Sequence, residues 1–126
     1  MPAFYKIERE NRLVLSTASG TITPSDIFNH QEKLGGDPDF DPTYSQLVDV
    51  SHVTKIEVTT EDIRRLAQGN LFSPKSRRAI LVSSDAAFGF ARMFEMLRES
   101  AGETGIEVFR SLDEALEWVL ANSPST

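Results

Sequence analysis

YSQLVDVSHVTKIEVTTED, running from Tyr44 to Asp62, carries the signals that decide the fold. Leu47-Val48-Asp49-Val50 is apolar at successive positions and closes on an acid. Neighbouring side chains on a strand point to opposite faces, so such a run suits a strand covered on both sides. Asp49 then falls near the strand's C-terminal end, where open α/β sheets carry their functional loops. Val53, Ile56 and Val58 follow at looser spacing and read as a short connector. Thr59 or Thr60 supplies a helix cap with Asp62 in support. Beyond it Ile63, Leu66 and Ala67 share one helical face, with Arg64, Arg65 and Gln68 off it.

Upstream, Phe4 to Glu8 and Arg12 to Ala18 read as two short strands joined at Glu10-Asn11. Gly20 is expected to end the second. Thr23-Pro24-Ser25-Asp26 starts a helix with a capping residue, proline at the first position and an acid in place. Ile27, Phe28 and Leu34 give it a partial apolar face, and Gly35-Gly36 ends it. Asp37, Asp39 and Asp41 have the alternate spacing of a calcium loop. Pro42 and Val48 stand where such a loop needs glycine and glutamate, so a stiff turn over Phe40 is the better reading.

Downstream, Ala79-Ile80-Leu81-Val82 is a buried strand, and Ser83, Ser84 and Asp85 cap a helix from Ala86 to Ala101. Its stripe reads Ala86, Phe90, Met93, Phe94, Leu97 and Ala101, which leaves Phe88 and Met96 off it. Gly102-Glu103-Thr104-Gly105 is a turn and Ile106 to Phe109 a last strand. Ser111-Leu112-Asp113-Glu114 is a capping box, opening a helix that buries Leu112, Leu116 and Val119 with Trp118 at the edge. The order ββαβαβαβα predicts an open, mostly parallel α/β sheet with packed helices, whose first strand can run antiparallel. Residues 1–121 form one domain with one contiguous core, and 122–126 a disordered tail.

The composition narrows the function. A chain of 126 residues buries one core unaided. With no cysteine there is no disulfide or thiolate chemistry. A net charge of −6 and a pI near 4.9 argue against nucleic acid as a partner. No apolar run is long enough to span a membrane, and MPAFYKIERE lacks the apolar segment of a signal peptide, so the cytoplasm is the expected compartment. Neither glycine-rich phosphate loop is present, and no cofactor is expected.

In this order, Leu47 to Glu57 resembles the D-[LV]-S-x-V-x-x-[IL]-D-S-x-G region of STAS domains, the anti-sigma-factor antagonists and their relatives. Ser19-Gly20-Thr21-Ile22-Thr23, Asp37 to Phe40, Ser76 to Ile80, Phe88 to Arg92 and Glu114 to Trp118 extend the likeness, chiefly to the SpoIIAA-like STAS/SEC14 branch. The resemblance implies a fold shared with lipid-binding CRAL-TRIO domains and a protein partner at this edge of the sheet. It also implies a departure. Glu57 takes the place of the family's aspartate, Val58 that of the serine phosphorylated in switched antagonists, and Thr60 that of the small glycine after it.

The expected activity is therefore a non-enzymatic regulatory or protein-interaction module with no phosphoserine switch. Its contact surface would comprise Ser51, His52, Glu57, Val58, Thr59, Thr60, Ser84, Asp85 and Phe88. A carrier of a small apolar ligand or lipid is the first alternative and would need an internal pocket. A hydrolase using Ser51 with His52 as base is the second. Asp49 with His52 is too small a set to hold a metal. Arg64, Arg65, Lys75, Arg77 and Arg78 fall in a stretch without acids and form a candidate basic patch, unless neighbours such as Asp62 and Asp85 balance them. His30 is expected to face solvent. Phe88 and Met96 are candidate homodimer contacts.

Overall fold

The computed structural model describes residues 3–69, 71–103 and 105–121. Its elements are β1 (Ala3–Glu8), β2 (Leu13–Ile22), α1 (Pro24–Gly35), β3 (Ser45–Ile56), α2 (Thr60–Ala67), β4 (Arg78–Leu81), α3 (Asp85–Ser100), β5 (Ile106–Phe109) and α4 (Leu112–Leu120). The tail 122–126 expected to be disordered, and Thr104 of the expected turn, lie outside the described residues.

The strands pair in sequence order, β1-β2-β3-β4-β5, with β1 antiparallel to β2 and the rest parallel. Successive right-handed crossovers that advance one way along a sheet place their helices on one face. Accordingly α1, α2 and α3 share a face, and α4 covers the other. The expected single core is thus divided by the sheet. Ala18, Ile22, Val53, Ile63 and Phe94 lie under α1–α3, while Leu13, Leu47, Ala79, Leu81 and Val119 lie against α4.

The Tyr44–Asp62 stretch differs from its reading in one respect. What looked like a connector is strand: β3 runs on to Ile56. Thr17 pairs with Asp49 and Ser19 with His52, then Gly20 with Val53 and Thr21 with Lys55, so β3 gains one residue over β2 at each step. These are bulges, and each resets the alternation of faces. They turn Val50, Val53 and Ile56, and Val58 just beyond the strand, to the same side. Gly20, expected to end β2, instead lies within it at φ 67°, a conformation glycine adopts without steric cost.

The caps follow the expected chemistry. Thr23 and Thr59 each accept from the backbone N–H three residues on, and Asp26 and Asp62 bond back to the cap N–H. Ser84 accepts from Ala87 N at 3.1 Å. Ser111 accepts from Glu114 N at 3.3 Å, but Glu114 makes no return bond, so only half of that box forms.

Two helix faces are corrected. In α3 the buried residues are Ala87, Ala91, Phe94 and Arg98, one position round from the predicted stripe. The small alanines let the helix approach the sheet, and an arginine completes the stripe because an acid meets it below. In α4 Leu112 is exposed and Ala115 is buried in its place. Met96 is exposed, whereas Phe88 is half-buried.

Candidate functional site: an apolar cavity with a polar end

Between the sheet and α1–α3 lies a cavity of about 180 Å³. Its walls are overwhelmingly aliphatic and aromatic. Ile22, Val53, Ile56, Val58, Ile63 and Phe90 line it toward the C-terminal ends of the parallel strands. An engineered cavity of about 150 Å³ lined by such residues stays dry and takes up benzene, so this volume suits a ligand of one small ring or a short branched chain.

The opposite end is polar. Gln46, the second residue of β3, lies directly beside Arg78, the first residue of β4. Arg78 Nε donates to Gln46 Oε1 at 3.3 Å, and Gln46 Nε2 donates to Ser16 Oγ at 2.9 Å. This hydrogen-bonded row crosses three strands, and all three residues line the cavity. Tyr5 stands opposite Ser16 on β1 and meets the His30 ring edge-on, with centroids 5.5 Å apart. His30 and Gln31 of α1 close this end from above. His30 Nε2 and Gln31 Oε1 are both buried and have no hydrogen-bond partner among the described residues. The expectation that His30 faces solvent is therefore corrected: it is half-buried, and desolvation lowers its pKa, which keeps the imidazole neutral at pH 7.

Arg78 belongs to a buried ionic cluster. Arg78, Arg98 and Glu103 are 8%, 6% and 2% exposed. Arg98 is fully engaged: Nε donates to Glu103 Oε2 at 2.6 Å, Nη2 pairs with the same oxygen, and Nη1 donates to the carbonyls of Ala67 and Gly69 at 2.6 and 2.7 Å. Arg78 receives what is left. Its Nη1 lies 3.5 Å from Glu103 Oε1, an ionic contact without hydrogen-bond alignment, for that oxygen has no hydrogen-bond partner. Phe72 and Phe94 flank the guanidinium at 4.7 and 5.5 Å from their ring centres. Desolvation pushes the Arg78 pKa down to about 10, with Glu103 opposing the fall.

The predicted basic patch does not assemble. Arg64 pairs with Glu61 and Arg65 with Asp62, each three residues back on α2. Arg77 packs over Trp118 and donates to its carbonyl on the α4 side. Lys75 is exposed, and Arg78 is buried. Balance by local acids, together with burial of one member, replaces a common surface.

The predicted contact residues divide. His52, Glu57, Thr59, Thr60, Ser84 and Asp85 are exposed along the edge formed by β3, α2 and the start of α3. Ser83 Oγ donates to Ser51 O at 2.6 Å and ties β3 to that start. Phe88 lies beneath Arg110, which also pairs with Asp85 at 2.8 Å. Val58 is corrected: at 7% exposure it lines the cavity and offers nothing to the surface. Ser51 sends both its N–H and its Oγ to Asp49 Oδ1, at 2.9 and 2.5 Å, and makes no bond to His52. Asp37, the first acid of the calcium-like spacing, accepts from Tyr5 Oη at 2.7 Å, and Asp41 accepts from Thr43.

Sequence reasoning missed Ser16, Gln46, Arg98, Glu103 and Gln31. Arg98 alone left a signal, four residues after Phe94 on an apolar face and five before an acid.

Among the described residues no helix is long and apolar enough to cross a membrane. No family profile and no curated protein matches the sequence. Solved structures do. An uncharacterized DUF3478-family protein with a SpoIIAA-like fold from Shewanella loihica PV-4 is 19% identical, with 93% of each chain covered and a TM-score of 0.59. An anti-sigma factor antagonist from Mycobacterium paratuberculosis is 13% identical, again with 93% of each chain covered, at a TM-score of 0.58. With its ββαβαβαβα order and mostly parallel five-stranded sheet, this chain has the SpoIIAA-like fold.

Proposed function

We propose that this protein is a non-enzymatic binding module that takes a small, largely apolar molecule into the cavity under α1–α3. The observation that carries this reading is the inward turn of Val58. By the resemblance, position 58 is where switched antagonists keep their phosphorylated serine. Here it is a valine on the cavity wall, one residue before the Thr59 cap of α2. A ligand there touches the root of the surface that a phosphate would otherwise modify, so occupancy takes the place of phosphorylation. The Ser51 hydroxyl held by Asp49, with no bond to His52, supports binding over hydrolysis. Toluene titrated into 15N-labelled protein is expected to shift the amides of Val53, Val58, Ile63 and Phe90 together. Shifts confined to surface residues, or none, would remove the cavity from the function.

A protein partner at the exposed β3–α2 edge is a second reading. The antagonist neighbour and the Ser83–Ser51 bond that joins the two sides of this edge support it. Glu57→Lys reverses an exposed charge there and is expected to abolish capture of a native partner without altering the fold. Undiminished capture would move the contact elsewhere.

A further inference from the structure

The cavity has two chemically different ends, and its polar end is short of negative charge. Arg78 and Arg98 face a single acid, Glu103, and these three are the buried charged residues among those described. The cluster therefore carries a net charge of +1 where water does not screen it, and an unmatched buried charge is costly. Arg98 takes the well-formed part of Glu103 and two carbonyls. Arg78 keeps the unaligned 3.5 Å contact, and Arg78 is the member that lines the cavity.

The remaining polar groups at this end suit an acceptor. Ser16 Oγ already accepts from Gln46, so its own hydrogen is the one it has to offer. A neutral imidazole with its hydrogen on Nε2 is a donor, and His30 Nε2 has no partner. Turning the Gln31 amide over presents N–H groups in place of its unpartnered oxygen.

Building on the reading of the cavity as a ligand site, we infer that its occupant is a monocarboxylate with a compact apolar body. The carboxylate lies at Ser16, Arg78 and His30, and the body points toward Val53, Val58 and Phe90. The carboxylate brings the cluster to neutrality and gives the orphaned donors an acceptor. The volume limits the body to about the size of one benzene ring.

Three probes of one shape separate this inference from the reading beneath it. Benzoate, benzamide and toluene share the ring and differ in charge and polarity. By titration at 0.15 M salt, with ring-to-methyl contacts to Val53 and Val58 marking the site, benzoate is expected to bind about tenfold or more tighter than either neutral probe, as suits a charge-assisted contact. Arg78→Met leaves Arg98 and Glu103 as a balanced pair, and should remove the benzoate preference while toluene still binds. Ser16→Ala keeps the buried charges and should weaken benzoate several-fold more than it changes toluene, which gives a readout even if Arg78→Met does not fold. Equal binding of all three probes overturns the carboxylate assignment and leaves the cavity reading standing. A benzoate preference that survives both substitutions, or benzoate contacts away from Val53 and Val58, also overturns the assignment. Binding of no probe overturns both readings.

Discussion

Glu103→Gln is expected to destabilise the fold by about 3–5 kcal/mol, the cost of removing one partner from a buried ionic group. The substitution keeps the shape and removes the only acid among the described residues that faces Arg78 and Arg98 in the interior. Two guanidiniums then remain buried with no counter-charge. A domain of this size is held by about 5–15 kcal/mol, so between roughly a fifth and the whole of its stability is at stake. Arg78→Met is the contrasting case, since it leaves Arg98 and Glu103 matched one to one and should cost far less. Chemical denaturation of the three proteins measures both. A Glu103→Gln change below about 1 kcal/mol would show that water already reaches the cluster.

Val58→Asp should cost about 3 kcal/mol or more, because it places a carboxylate among Ile63, Val53 and Phe90 with no donor to receive it. Thr60→Asp, two residues on, should be neutral or slightly stabilising. Thr60 is exposed at the first turn of α2, where an acid interacts well with the helix dipole. A surface switch would tolerate the acid at both positions. If Val58→Asp unfolds no more easily than Thr60→Asp, position 58 reaches the surface and the ligand-for-phosphate reading fails.

The parts of the molecule that can be read from the sequence are those governed by local rules. Thr23, Thr59, Ser84 and Ser111 stand at helix starts as their chemistry predicts, and the apolar runs at Leu47 and Ala79 are strands. Reading failed where an inserted residue broke the period. Two bulges hid the second half of β3, and Val53, Ile56 and Val58 passed for a connector. It failed again where a charge lay in an apolar stripe. Arg98 is buried because Glu103, inside what looked like a solvent turn, meets it, and no periodicity encodes that meeting. The exposure of the candidate contact residues was legible along the edge from His52 to Asp85. The cavity was not, because it is a volume left between the sheet and three helices, and a volume belongs to no single stretch of chain.

The sign of the charge reverses between the inside of this protein and its outside. The whole chain carries −6. Setting aside buried Arg78, Arg98 and Glu103, which together contribute +1, leaves −7 on everything else. An approaching anion meets repulsion within a Debye length of about 8 Å and attraction only once it has shed its water. The two fields sort anions differently. Repulsion outside grows with each charge a solute bears, whereas the interior has one positive charge to match and apolar walls to satisfy. Phosphate and dicarboxylates fail both conditions, and a neutral hydrocarbon meets only the second. If the cavity takes the acid inferred above, the acidic exterior, which looks like a mere feature of composition, is the outer half of a filter for singly charged, oily acids.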